Sequence, residues 1–194
     1  MARPWQQPFT PFAARALGEA AWPWLVGGGA AHLVLGVVGL LIVALAAPQR
    51  PLAAAGMLLF AGGALQVAQA FRLETRGGLF GYLGAGVIAV AGGLALVWPP
   101  TVVAPTLLLG SFLVALGAFR AAAAAMQPLP GRGWPLAGGV VTLVLGLLAA
   151  VDWTATGWPA IGLIVSADLL ATGAAQVLVG ADVRRLTAGQ AGLV

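Results

Sequence analysis

The chain falls into six long apolar runs, at about residues 24–47, 52–71, 79–98, 101–126, 134–151 and 158–180, with almost no charge inside them. Such a run, rising 1.5 Å per residue as a helix, spans a hydrocarbon core of roughly 30 Å with about 20 residues. Helices satisfy their backbone polar groups internally, as lipid requires. Hydrophobic residues are 61% of the 194 and charged residues 7%. The mean hydropathy is +1.01. No soluble domain of ordinary composition approaches these values. The expected fold class is an all-α integral membrane protein with six transmembrane helices. That leaves no length for a separate soluble domain.

The punctuation between runs sets the organisation. Residues 1–21 precede the first span, and Thr10 followed by Pro11 could start a helix lying along the membrane surface; a frayed tail is the plainer alternative. No cleaved targeting segment is expected, because the first apolar run is too long for a signal-peptide core. The membrane domain covers residues 22–181, and residues 182–194 form a tail. All nine basic residues are Arg. Arg3, Arg15, Arg72, Arg76, Arg132, Arg184 and Arg185 fall on the side of the termini, with Arg50 alone opposite. This bias places both termini in the cytoplasm, and an even number of spans agrees. The net charge of +4 therefore reports orientation rather than nucleic-acid binding.

The even-numbered spans share one frame. Gly56, Gly63 and Gln66 correspond to Gly110, Gly117 and Arg120, and then to Ser166, Gly173 and Gln176. In the odd spans Gly86 and Gly93 match Gly139 and Gly146, while the first span has Gly39 in register and His32 where a glycine would fall. The expectation is three parallel tandem helical-hairpin repeats, at about residues 24–72, 79–126 and 134–181. Small residues seven apart share nearly one helix face and let backbones approach, which is how helices associate in lipid. Packing alone accounts for any single glycine.

Few polar groups lie inside the spans. Asp168 falls near the bilayer midplane, where an ionised carboxylate costs roughly 2.5 to 3.5 kcal/mol on insertion scales, so it has a partner or water or holds a proton. Proton binding is one reading; a structural acid hydrogen-bonded to a hydroxyl such as Ser166 or Thr172 is the other. His32 could titrate, coordinate a metal or hydrogen-bond a carbonyl. With no second His and no Cys, no metal site is expected. Arg120 either snorkels to the headgroups or joins Gln66 and Gln176 in a polar layer at common depth. That layer would narrow a pathway, seal one or bind helices together. No charge pair across spans is read from the spacing.

Searches for reaction chemistry find nothing. The chain has no Lys, which excludes a phosphate-binding loop with its lysine, and its only serines, Ser111 and Ser166, lie in spans. Neither catalysis nor a cofactor is expected. The expected partners are membrane lipids, with a second copy or another membrane protein as candidates.

Two segments carry a resemblance. GVIAVAGGLALVWP at residues 86–99 and SADLLATG at residues 166–173 are similar to segments of the HdeD-like family of bacterial acid-resistance membrane proteins. The resemblance extends over residues 24–183 and implies a bacterial inner-membrane protein supporting acid or envelope-stress tolerance. It carries over one polar residue, Asp168; His32 belongs to no motif of the family. The first repeat departs from the pattern, lacking a Trp before Pro48. A small channel or carrier for protons or small solutes is the alternative function, and a structural or lipid-binding scaffold the third.

Overall fold

A computed structural model of the chain describes residues 21–45, 51–73, 76–98, 105–126, 132–151 and 158–191. Six helices account for nearly all of them: α1 (Ala21–Leu45), α2 (Pro51–Ala70), α3 (Arg76–Val97), α4 (Pro105–Met126), α5 (Gly133–Ala150) and α6 (Trp158–Ala191). Each has the length and hydropathy of a membrane span, and the protein is an all-α, six-span membrane protein. Residues 1–20, where a surface helix or frayed tail was expected, lie outside the described residues. The last helix runs on past Gly180 to Ala191, whereas the sequence reading ends the span at Gly180 and begins a tail at Asp182. No proline or glycine pair interrupts the chain there to stop it.

The closest packing is not within the expected hairpins, α1 with α2, α3 with α4 and α5 with α6. The three most extensive contacts are α1 with α6, α2 with α3, and α4 with α5; lighter seams, α1 with α2, α3 with α4, and α5 with α6, complete a ring. The repeat reading expected each helix to pack chiefly on its sequence neighbour within one hairpin, and the contacts do not confirm that arrangement. The physical reason lies in the glycine faces. A Cβ on Gly56 would stand 2.7 Å from the Gly93 carbonyl, and one on Gly63 would stand 2.7 Å from the Val90 amide nitrogen. Likewise a Cβ on Gly117 would collide with the Leu143 backbone nitrogen, and one on Gly146 would stand 2.5 Å from the Val114 amide nitrogen. A Cβ on Gly173 would lie 2.7 Å from the Gly29 carbonyl. These glycines weld an even helix to the odd helix after it, and α6 closes back onto α1. Dispersion between backbones in close approach drives such pairing in lipid, whatever the length of the connecting loop.

The interior has two halves. Away from the chain ends, Leu58, Leu59, Leu109, Leu113, Leu116, Val165 and Leu169 join one apolar cluster fed by α2 to α6. Nearer the face where α1 begins and α6 ends, the buried polar residues gather, namely His32, Gln66, Gln69, Thr142, Asp168, Thr172 and Gln176, and a smaller apolar cluster of Leu25, Val179 and Val183 lies beyond them toward that face. Outside the ring, Val34, Val37, Leu41, Val87, Val140, Val144 and Leu163 are exposed, as suits a lipid-facing surface.

Candidate functional site

Asp168 on α6 is fully buried. Its Oδ1 accepts from Arg120 Nη1 at 3.0 Å and from the Thr142 hydroxyl. The same Arg120 nitrogen donates to Thr142 Oγ1 at 3.1 Å and to Thr172 Oγ1 at 2.8 Å. Helices α4, α5 and α6 are thus tied in one knot around a single ion pair, whose side chains are 13% and 1% exposed. The other carboxylate oxygen, Oδ2, is buried with no partner among the described residues.

This knot corrects two sequence expectations. The spacing shows no pair across spans, because Arg120 and Asp168 are 48 residues apart and fall in different hairpins of the expected repeat. Arg120 does not snorkel outward; its long side chain turns into the bundle and reaches the acid. Ser166 also fails to serve Asp168, since its hydroxyl donates to Gly162 O, one turn back on its own helix, at 2.7 Å. Thr172, the other hydroxyl considered, touches Arg120 rather than the carboxylate.

A second polar group joins α1, α2 and α6. His32 Nδ1 donates to Gly28 O at 2.8 Å, and Gln66 Nε2 donates to His32 Nε2 at 3.3 Å. With Nδ1 protonated and Nε2 accepting, that network assigns a neutral ring. Gln69 Nε2 donates to Trp24 O at 2.9 Å and to Gln176 Oε1 at 3.5 Å. Reaching the Trp24 carbonyl brings this amide over Gly28, where a Cβ would sit 1.7 Å from it. Only a glycine admits such an approach to a helix backbone. Among the described residues, no three His, Asp or Glu side chains gather to hold a metal ion.

The two groups border one cavity of about 120 Å³. All six helices or their immediate ends line it. Its outer end, at the face where α1 begins and α6 ends, is lined by the exposed Arg132 with Leu73 and the buried Gly78 and Val183; its floor carries Gln66, Arg120, Thr172 and Gln176. The three side chains that the repeat placed at common depth, Gln66, Arg120 and Gln176, therefore stand around one space. Beyond the floor lies the leucine-rich cluster. The arrangement is a vestibule with mostly apolar walls, a cation at its base and an apolar plug behind it.

Sequence reasoning missed Thr142, Gln69 and Tyr82. Thr142 is the only hydroxyl residue in α5 and Tyr82 the only tyrosine in the chain, signals as strong as the one that singled out His32. Gln69 follows Gln66 by three positions, and so lies close to the same helix face. Comparison with family models, with curated proteins and with solved structures gives no match for this chain.

Proposed function

We propose that the protein is a non-enzymatic small-solute transport module, and that the vestibule is its binding site seen from one side of the membrane. The observation that carries this reading is the convergence of all six helices on one cavity floored by Arg120, Thr172, Gln66 and Gln176. Binding sites of carriers are commonly built at such depth, between helices that can rearrange around them. An ionisable group there is costly, and its placement at the end of a cavity supports a functional reason for it. The leucine-rich plug accounts for a closed far side, as alternating access needs. The Arg distribution supports cytoplasmic termini, and hence a vestibule facing the cytoplasm of a bacterial inner membrane. Three tandem repeats remain part of the proposal, paired across rather than within hairpins.

The test is release of radiolabelled solutes from proteoliposomes, with glycerol, glycine, succinate and inorganic phosphate as the panel. At least one is expected to leave faster than from protein-free vesicles. Ala175→Trp, which fills the cavity from its α6 wall, is expected to abolish that release. A panel retained throughout overturns the transport reading.

A second reading, acid or envelope-stress tolerance, comes from the HdeD-like resemblance and is favoured by one observation. Asp168 and Arg120 form the one buried ion pair among the described residues, and protonating the acid would dissolve it. The two readings meet if the transported species carries a proton.

A further inference from the structure

The ligand class can be inferred if the solute-binding reading is taken as the premise. Arg120 meets its protein partners through Nη1 alone; among the described residues neither Nε nor Nη2 has a partner. Those two nitrogens form one edge of the guanidinium and present parallel donors, the fork that fits a carboxylate. The side chain is 13% exposed, and it lines the cavity. Tyr82 and Gln176 line the same space. Neither the Tyr82 hydroxyl nor the Gln176 amide nitrogen has a partner among the described residues. Opposite these donors the walls are apolar, from Leu25, Ala85, Pro135, Val179 and Val183. At 10 to 15 Å³ for each water-sized body, about 120 Å³ holds roughly eight to twelve of them. That suits a short or single-ring acid.

Charge balance adds a condition. Facing Asp168 are Arg120 from α4, Thr142 from α5 and Thr172 from its own helix. From α1 His32 is held as the neutral ring, and α2 contributes only the amides of Gln66 and Gln69. From α3 the phenol of Tyr82 is neutral, and Arg132 stands exposed at the outer end, where water screens it. One guanidinium therefore serves one carboxylate. A second anion would be unbalanced in surroundings that penalise charge, unless Asp168 takes up a proton. Oδ2, buried without a donor, is the oxygen for that proton, while Oδ1 keeps the Thr142 hydroxyl.

We propose that the vestibule binds a small monocarboxylate with an apolar body, its carboxylate on the free edge of Arg120, together with one proton on Asp168. The same chemistry could arrive as a free acid from water or as a fatty acid from the leaflet. The experiment is calorimetric titration of the whole protein in detergent micelles with benzoate, in buffers of different ionisation enthalpy and from acid to neutral pH. Expected, over the pH range in which benzoate is itself ionised, is uptake of one proton per benzoate, with affinity falling by up to about tenfold per pH unit as pH rises. Asp168→Asn should bind benzoate with no proton uptake and no pH dependence, and Arg120→Gln should lose at least tenfold in affinity. Displacement of benzoate by dodecanoate assigns the acid to the leaflet; failure to displace it assigns the acid to water. Wild-type binding without proton uptake overturns the proposal, as does binding unchanged by Arg120→Gln. Benzamide bound as tightly as benzoate also overturns it, yet leaves the transport reading standing. No binding of benzoate overturns it as well, while solute release judges transport separately.

Discussion

Removing Arg120 and Asp168 singly and together tests whether the buried pair is one energetic unit. In Arg120→Met the Asp168 carboxylate keeps only the Thr142 hydroxyl on Oδ1, and Oδ2 stays without a donor. Stripping one partner from a buried pair costs about 3 to 5 kcal/mol, because the remaining charge is left uncompensated. Asp168→Leu leaves the guanidinium with Thr142 and Thr172 at 3.1 and 2.8 Å and an edge on the cavity. Water can reach that edge, so its cost should fall at the low end, about 3 kcal/mol. The double replacement by Met and Leu removes both charges and fills the space with apolar atoms, and should return to within about 1 kcal/mol of wild type. The coupling is then at least about 5 kcal/mol, well above what additive sites show. Reversible unfolding in mixed micelles under increasing denaturing detergent reads all four proteins. If the double variant loses the sum of the single losses to within about 0.5 kcal/mol, the charges are solvated separately and the argument built on their pairing is wrong.

Two further outcomes follow from the packing. Gly117→Ala should lose about 1 to 3 kcal/mol by overpacking, since its Cβ would collide with the Leu143 backbone nitrogen. Gly27→Ala, with nothing within 4 Å of the added carbon, should gain up to about 1 kcal/mol from helix propensity. The same unfolding assay compares them, and equal effects would refute the close-approach account. Leu113→Ala, in the fully buried plug, should cost about 2 to 5 kcal/mol and raise solute leak through proteoliposomes. An unaltered leak in a destabilised variant would mean that the plug does not seal the path.

The spans were legible because a bilayer imposes one length and one backbone solution, and 20-residue apolar runs are hard to read otherwise. The glycine spacing was legible too, and Gly56, Gly63, Gly110, Gly117 and Gly173 all press on a neighbouring backbone. What spacing could not give was the partner. A small-residue face states that a helix packs closely, not against which helix: α2 and α4 pack on the helix after them rather than the one before, and α6 packs on α1, the helix farthest from it in the chain. The same gap hid the ion pair. Depth along a helix follows from counting residues, which sets Asp168 alone near the midplane and Arg120 either at the headgroups or with Gln66 and Gln176. The reach and direction of an arginine side chain depend on which helices surround it, and the sequence carries no such direction.

Glycine and polar contacts divide the labour of assembly between them. Within the pairs α1 with α6, α2 with α3, and α4 with α5, backbones touch through small residues. Of the side-chain hydrogen bonds that cross between helices among the described residues, all but Arg120 to Thr142 join members of different pairs. Parting two welded backbones forfeits many dispersion contacts at once, and nothing in lipid replaces them. Parting Gln66 from His32, or Gln69 from Gln176, exchanges one weak bond for another with water or solute, provided a wet cavity adjoins them. Under the transport reading, then, the pairs move as rigid bodies and the polar side chains are the exchangeable straps between them. A bound solute can drive that movement only by as much as it prefers one arrangement of straps to the other. The strongest strap, Arg120 to Asp168, is also the one a proton and an anion would compete for. The four-protein cycle on those two residues therefore measures the largest single barrier that such a solute has to offset.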